Sequence, residues 1–192
     1  MFNTQYVSTL INNYLKGMPS ISLISKVTIK HTSNKITIHF LYYNPFSSLS
    51  DQDMMNLTSL LEQYYHQKVE VTVNQLRYPF MNADILAQYL VLNSDKARFK
   101  FIKRAVYRQV VMNPSMWNHM SVYMTGIKVD INGRLINEKI IPRKTTLTMS
   151  KGTLTPTAIK GHMTYIDKGS HTFKNQHGSF TISVTIAQVI KS

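Results

Sequence analysis

Lys96, Lys100, Arg104 and Arg108 recur every fourth residue. In an α-helix that spacing advances each side chain by only ~40°, so the four form one cationic stripe. Lys103 widens the stripe and Arg98 adds a further cation to the segment, while Phe99, Ile102, Val106 and Val110 fall mainly on the opposite, core-facing side. Ordinary solvated helix faces mix both signs, but no acid follows Asp95 within this helix. The chemistry such a stripe can perform is phosphate neutralisation, in which each paired phosphate releases a condensed counterion. A second basic set, Lys128, Arg134, Lys139, Arg143, Lys144, Lys151 and Lys160, lies among glycines and threonines. Small residues let a nucleic-acid backbone come close and hydroxyls can donate to phosphate, although structural turns account for the same glycines equally well.

The charge distribution supports this reading. The chain has 192 residues and a formal net charge of +13. Residues 1–95 hold six Lys/Arg and six Asp/Glu, whereas residues 96–192 hold sixteen Lys/Arg against three acids, Asp130, Glu138 and Asp167. The whole excess therefore lies in one half, as a docking face for a polyanion requires and uniform solubilising charge does not. An anionic membrane and an acidic protein are the competing partners by charge alone.

Catalytic chemistry is poorly provided for. The chain has no Cys, which excludes thiol nucleophiles, disulfides and cysteine-based zinc sites. Its seven histidines are scattered without a His-x-x-x-His pair, and His39 sits at the outward position of a strand. The nine acids are not paired at a spacing suited to metal-ion phosphoryl chemistry, so a metal-dependent nuclease is disfavoured. Gly17 is the sole glycine before residue 126, which leaves no phosphate loop there. The expectation is a non-enzyme without cofactor or metal. Trp117 and its neighbouring methionines read as packing or a protein contact. No apolar run approaches the ~20 residues of a membrane span.

The elements that would position these residues fall into two domains, expected at 1–80 and 81–192. Tyr6, Val7, Leu10, Ile11, Tyr14 and Leu15 have helical spacing, and Gly17 with Pro19 ends that run. Val27 and Ile29, then Ile36, Ile38, Phe40 and Tyr42, alternate around the turn His31–Asn34 and predict a hairpin. Ser50 is a helix cap ahead of Asp51 and Asp53, and Met54, Leu57, Leu61 and Tyr64 or Tyr65 give that helix its buried stripe. Val69, Val71 and Val73 form a third strand. The order α-β-β-α-β predicts a small sheet with helices on one face. A second unit opens near Asn82 with an apolar helix through Leu92, followed by the basic helix from about Lys96 to Met112. Beyond Pro114, strands are expected at Ile127–Ile131 and Phe180–Ile186, with weaker candidates at Thr145–Met149 and His162–Ile166.

Two stretches resemble a known family. Lys103-Arg104-Ala105-Val106 is followed by Gly126-Ile127-Lys128-Val129-Asp130-Ile131-Asn132-Gly133-Arg134-Leu135. The second is similar to the "GIKV-x-V-x-GRL" strand-turn of the universal small-subunit ribosomal protein S-three family, and the first to the basic helix that precedes it. Lys151–Leu154, Tyr165–Asp167 and the strand Phe180–Ile186 follow in the family's order. The resemblance implies an α+β chain: a type-II KH-like domain, then an α/β sandwich domain with a mostly antiparallel sheet. That KH domain is ordered α-β-β-α-α-β, and its Gly-x-x-Gly loop clamps single-stranded RNA. The corresponding segment here, Tyr43-Asn44-Pro45-Phe46-Ser47-Ser48, has no glycine, so a degenerate KH-like domain is expected.

The resemblance further implies a constituent of the small-subunit head. Its partners would be small-subunit ribosomal RNA, neighbouring head proteins, and messenger RNA at the channel through which it enters. Lys100 and Lys103 match two family residues implicated in unwinding messenger RNA, with Phe99 in place of the third. Lys96, Arg98, Lys100, Lys103, Arg104 and Arg108 are expected to bind RNA from the helix, and Lys128, Arg134, Arg143 and Lys144 from the sheet edge. Lys outnumbers Arg sixteen to six, a bias that suits an AT-rich genome, and Met1–Gln5 lacks import-peptide character. Together these features resemble a fungal mitochondrial form, located in the matrix and organelle-encoded. The alternative is a free-standing KH-like RNA-binding regulator, which would need an intact Gly-x-x-Gly loop.

Overall fold

The computed structural model describes residues 4–17, 23–32, 34–46, 48–94, 104, 106–108, 110, 122–133, 145–155, 162–175 and 178–191. The chain is α+β and divides into two compact units, Met1–Pro79 and Phe80–Ser192.

In the first unit, α1 (Thr4–Lys16) buries Val7, Ile11 and Leu15, an i, i+4, i+8 stripe. The stripe packs on the alternate residues Ile36, Ile38 and Phe40 of β3 (Ile36–Tyr43), with Leu57, Leu61 and Tyr65 of α2 (Asp51–Tyr65) in the same core. A capping box starts α2: Ser50 Oγ accepts the Asp53 N–H while the Asp53 carboxylate accepts the Ser50 N–H. Ser50→Ala is expected to cost about 1 kcal/mol. The check is a lower urea midpoint at unchanged slope.

β3 is central. On one side it pairs antiparallel with β1 (Leu23–Ile24) and β2 (Thr28–His31). From Ile24 to Thr28 that edge uses one more residue than β3 does from Tyr42 to His39, a bulge in which Ser25 bonds Leu41 through both backbone and Oγ. On its other side β3 pairs in parallel with β4 (Val69–Gln75), with α2 as the crossover. The first sheet is therefore mixed. Lys35 bridges to Glu70 across the parallel pair, and its hydrogen bond and charge hold that carboxyl below the usual range.

In the second unit, α3 (Ala83–Asn93) is capped by Asn82, whose Oδ1 accepts the N–H groups of Asp84 and Ile85. The second sheet is antiparallel throughout, ordered β6-β5-β8-β7, with β5 at Val122–Gly133, β6 at Thr146–Gly152, β7 at His162–Asn175 and β8 at Gly178–Lys191. One face carries Ile127, Val129 and Ile131 beside Ile186, Val184 and Ile182, and packs on Ala83, Leu86, Ala87 and Leu90.

Two close approaches need glycine. Gly126 and Gly152 are cross-strand partners at the β5–β6 junction, and a Cβ on either would lie about 2 Å from a carbonyl oxygen of the opposing chain. Gly169 of β7 faces α3, and a Cβ there would lie 2.4 Å from the Asp84 nitrogen. The start of α3 is fixed on the sheet at that point: Ala83 N–H donates to Asp167 Oδ2 at 2.7 Å, and Gln188 Nε2 donates to the Met81 carbonyl at 2.8 Å.

Candidate nucleic-acid interface

The expected basic helix is described at Arg104, 106–108 and Val110. There the Arg108 N–H donates to the Arg104 carbonyl at 3.1 Å, an i to i−4 helical bond. Val106 and Val110 join the core against the sheet, and Arg104 and Arg108 are exposed. Burial of the valines fixes the rotation of this turn, which leaves the two guanidinium groups toward solvent. Lys96, Arg98, Lys100 and Lys103 lie outside the described residues, as do Arg134, Arg143 and Lys144.

On the sheet, two lysines of the second basic set are engaged internally. Lys151 Nζ donates to the Tyr107 carbonyl at 2.7 Å, tying β6 to the helical turn. Lys128 Nζ lies 2.9 Å from Asp130 Oδ2 on the same face of β5. Burial alone would push the Asp130 carboxyl up. Hydrogen bonds from Lys128 and Thr148, with the Lys128 charge, outweigh it and hold the group below the usual carboxylate range. Asp130 is therefore ionised near neutral pH and offsets Lys128. Any phosphate at Lys128 has to share its ammonium with that carboxylate.

The described acids of the second unit are all taken up internally. Asp84 is buried in the first turn of α3, Asp167 accepts from Ala83 at the same helix end, and Asp130 holds Lys128. The helix N-terminus carries partial positive charge, so two of the three carboxylates sit where the dipole favours them. The exposed charge of the described sheet is then cationic. It includes Lys168 and Lys174 of β7, which are not among the residues expected from the sequence to bind RNA. Their signal is present in the alternation Lys168-x-Ser170-x-Thr172-x-Lys174, a polar face at period two.

In the first unit, the Phe46 amide of the glycine-free segment 43–48 is paired, as are the amides of Leu49 and Ser50 just beyond it. Asn44 Oδ1 accepts the Phe46 N–H at 2.9 Å, the Tyr42 hydroxyl accepts the Leu49 N–H at 3.2 Å, and the Asp53 carboxylate accepts the Ser50 N–H. An amide already paired cannot also hold a phosphate oxygen. Among the described residues no group of three or more His, Asp or Glu is placed to hold a metal ion. No described helix is long and apolar enough to cross a membrane.

A family model described as "Mitochondrial ribosomal protein (VAR1)" matches residues 22–189. The chain is 33% identical to the small ribosomal subunit protein uS3m of Mycosarcoma maydis, with 86% of this chain and 68% of that protein aligned. It is 25% identical to uS3m of Kluyveromyces lactis, over 60% of this chain and 37% of that one. With the bacterial small ribosomal subunit protein uS3 of Thermosipho africanus it shares 28% identity over 70% of this chain and 57% of the relative. The chain thus spans about two thirds of the Mycosarcoma protein and between about a third and three fifths of the other two. A match across most of the chain, together with the Mycosarcoma identity, is decisive: this chain belongs to the mitochondrial ribosomal protein (VAR1) family, the mitochondrial uS3 proteins, which are structural and not enzymes.

Proposed function

We propose that the chain is a structural constituent of the mitochondrial small ribosomal subunit and binds ribosomal RNA in the head, near the channel through which messenger RNA enters. The observation that carries this reading is the charge arrangement of the second unit. Arg104 and Arg108 project from a turn whose valines are locked in the core, while the described carboxylates of that unit are spent on internal contacts. A surface of this kind neutralises phosphates with little sequence readout. In this reading Lys96, Arg98, Lys100, Lys103, Arg134, Arg143 and Lys144 also bind RNA, and Lys100 and Lys103 approach messenger RNA.

The first unit is a degenerate KH-like domain. Its order α-β-β-β-α-β, the expected α-β-β-α-β with the two-residue β1 added, supports that assignment, and the paired amides of Phe46, Leu49 and Ser50 support a role in positioning the chain against head proteins instead of clamping RNA. The Lys-rich composition supports an organelle-encoded gene.

Sedimentation of a mitochondrial lysate tests the assignment. The tagged chain is expected to co-migrate with small subunits at moderate salt and to leave them only at high salt. Recovery at the top of the gradient at moderate salt would refute a ribosomal constituent, and recovery there with bound RNA would favour the free-standing regulator.

A further inference from the structure

We infer that the face of the second sheet turned away from α3 is itself a contact surface for the sugar–phosphate backbone of structured RNA, separate from the cationic helical turn. The inference rests on the RNA-binding reading above and adds to it a second site.

Strand register defines this face. Core residues Ile127, Val129, Ile182, Val184 and Ile186 point toward α3, so their sequence neighbours point the other way. One row across the sheet reads Ser150, Lys128, Thr185, Lys168. The next reads Thr148, Asp130, Ser183, Ser170, and the third Thr146, Asn132, Thr181, Thr172. Lys174 and Ser179 begin a fourth. Every one of these fourteen positions is polar and every one is exposed or half-buried. Side-chain contacts bear out the shared face, since the Thr172 and Thr181 hydroxyls lie 2.9 Å apart and Lys128 reaches Asp130. With strands ~4.8 Å apart and rows ~6.8 Å apart, the patch measures about 14 Å by about 20 Å.

Its chemistry selects the occupant. Protein interfaces concentrate binding energy in aromatic and other large side chains at a desolvated centre and are depleted in Ser and Lys. These rows contain no apolar side chain. Nine are hydroxyls, which can donate to phosphate oxygens and accept from the ribose 2′-hydroxyl. Among the described residues of these rows there are three lysines and one carboxylate, Asp130, which Lys128 already holds. Charge complementarity therefore favours a polyanion. A wide, shallow RNA minor groove that displays 2′-hydroxyls and phosphates fits a flat hydroxyl field.

Binding of the full chain to a transcribed mitochondrial small-subunit ribosomal RNA, measured against salt, tests the inference. Removing one phosphate-neutralising cation lowers the slope of log K against log salt by about 0.7–0.9. K168A/K174A is expected to lower it by about 1.4–1.8, twice the single-cation value, and addition of S170A/S183A to weaken binding further at an unchanged slope. R104E/R108E serves as the comparison on the other site. An unchanged slope in K168A/K174A beside a reduced slope in R104E/R108E would overturn the sheet site and leave the RNA-binding reading intact. Failure of the parent chain to bind the transcript would overturn both. In assembled subunits, a crosslink from this face to a protein that disappears in K168A/K174A, with RNA binding unaltered, would assign the face to a protein and overturn the inference.

Discussion

Gly169→Ala is expected to destabilise the second unit by roughly 3 kcal/mol, a cost typical of overpacking in a site that cannot relax. Exposed glycine-to-alanine changes usually stabilise, because alanine restricts the unfolded chain. Here the sign reverses. The added carbon would lie 2.4 Å from the Asp84 nitrogen and 2.5 Å from both the Ala83 carbonyl carbon and the Asp84 Cα. All three are backbone atoms of the first turn of α3, and that turn is held by the Asn82 cap, by Asp167 and by Gln188. Relief by sliding the helix would break a charge-assisted bond to Asp167, itself about 1.5–3 kcal/mol. Thermal melting should show a fall on the order of 10 °C for a unit of this size. Gly17→Ala is the control, since its added carbon would come no nearer than 3.4 Å to any neighbour. A Gly169→Ala variant that melts with the parent would show that the helix start is not fixed on β7.

The second large effect concerns function. Reversing Arg104 and Arg108 to glutamate is expected to weaken ribosomal RNA binding on the order of 100-fold or more, because charge-assisted hydrogen bonds contribute about 1.5–3 kcal/mol each. Folding should be retained, since both side chains are exposed and the valines that anchor the turn are untouched. Filter binding at several salt concentrations, with circular dichroism of the same samples, separates the two quantities. Wild-type affinity in the folded variant would reduce these arginines to a solvated face.

Much of this architecture can be read from local pattern. The Ser50–Asp53 box, the Asn82 cap, the α1 stripe and the alternation of Ile36–Tyr42 are encoded within a few residues of one another. Elements defined by distant partners are not legible in this way. β1 is two residues long, too short to alternate, and exists because Tyr42 and Tyr43 pair with it. The parallel register of β3 and β4 depends on the α2 crossover, which no strand-sized window contains. Local alternation ends β7 at Ile166, but the strand runs to Asn175. Gly169, which locally reads as a strand breaker, is there because α3 rests on it. Lys168 and Lys174 are hard to single out for a related reason: their significance lies in what β5, β6 and β8 set beside them, not in their own segment.

The strand order has a consequence for synthesis. β8 follows β5, β6 and β7 in translation, yet it lies between β5 and β7 and joins the two halves of the sheet. Until it is made, β7 has no described strand partner and β5 and β6 form a two-stranded ribbon, too small to be stable alone. The apolar side of α3 meanwhile waits for Ile182, Val184 and Ile186. The nascent second unit therefore passes through a stage with open strand edges and an uncovered helix face, and such chains aggregate readily. Closure around a late central strand of high sequence separation is also slow. Abundance of this chain in the cell should thus be governed by how soon β8 is captured between its neighbours.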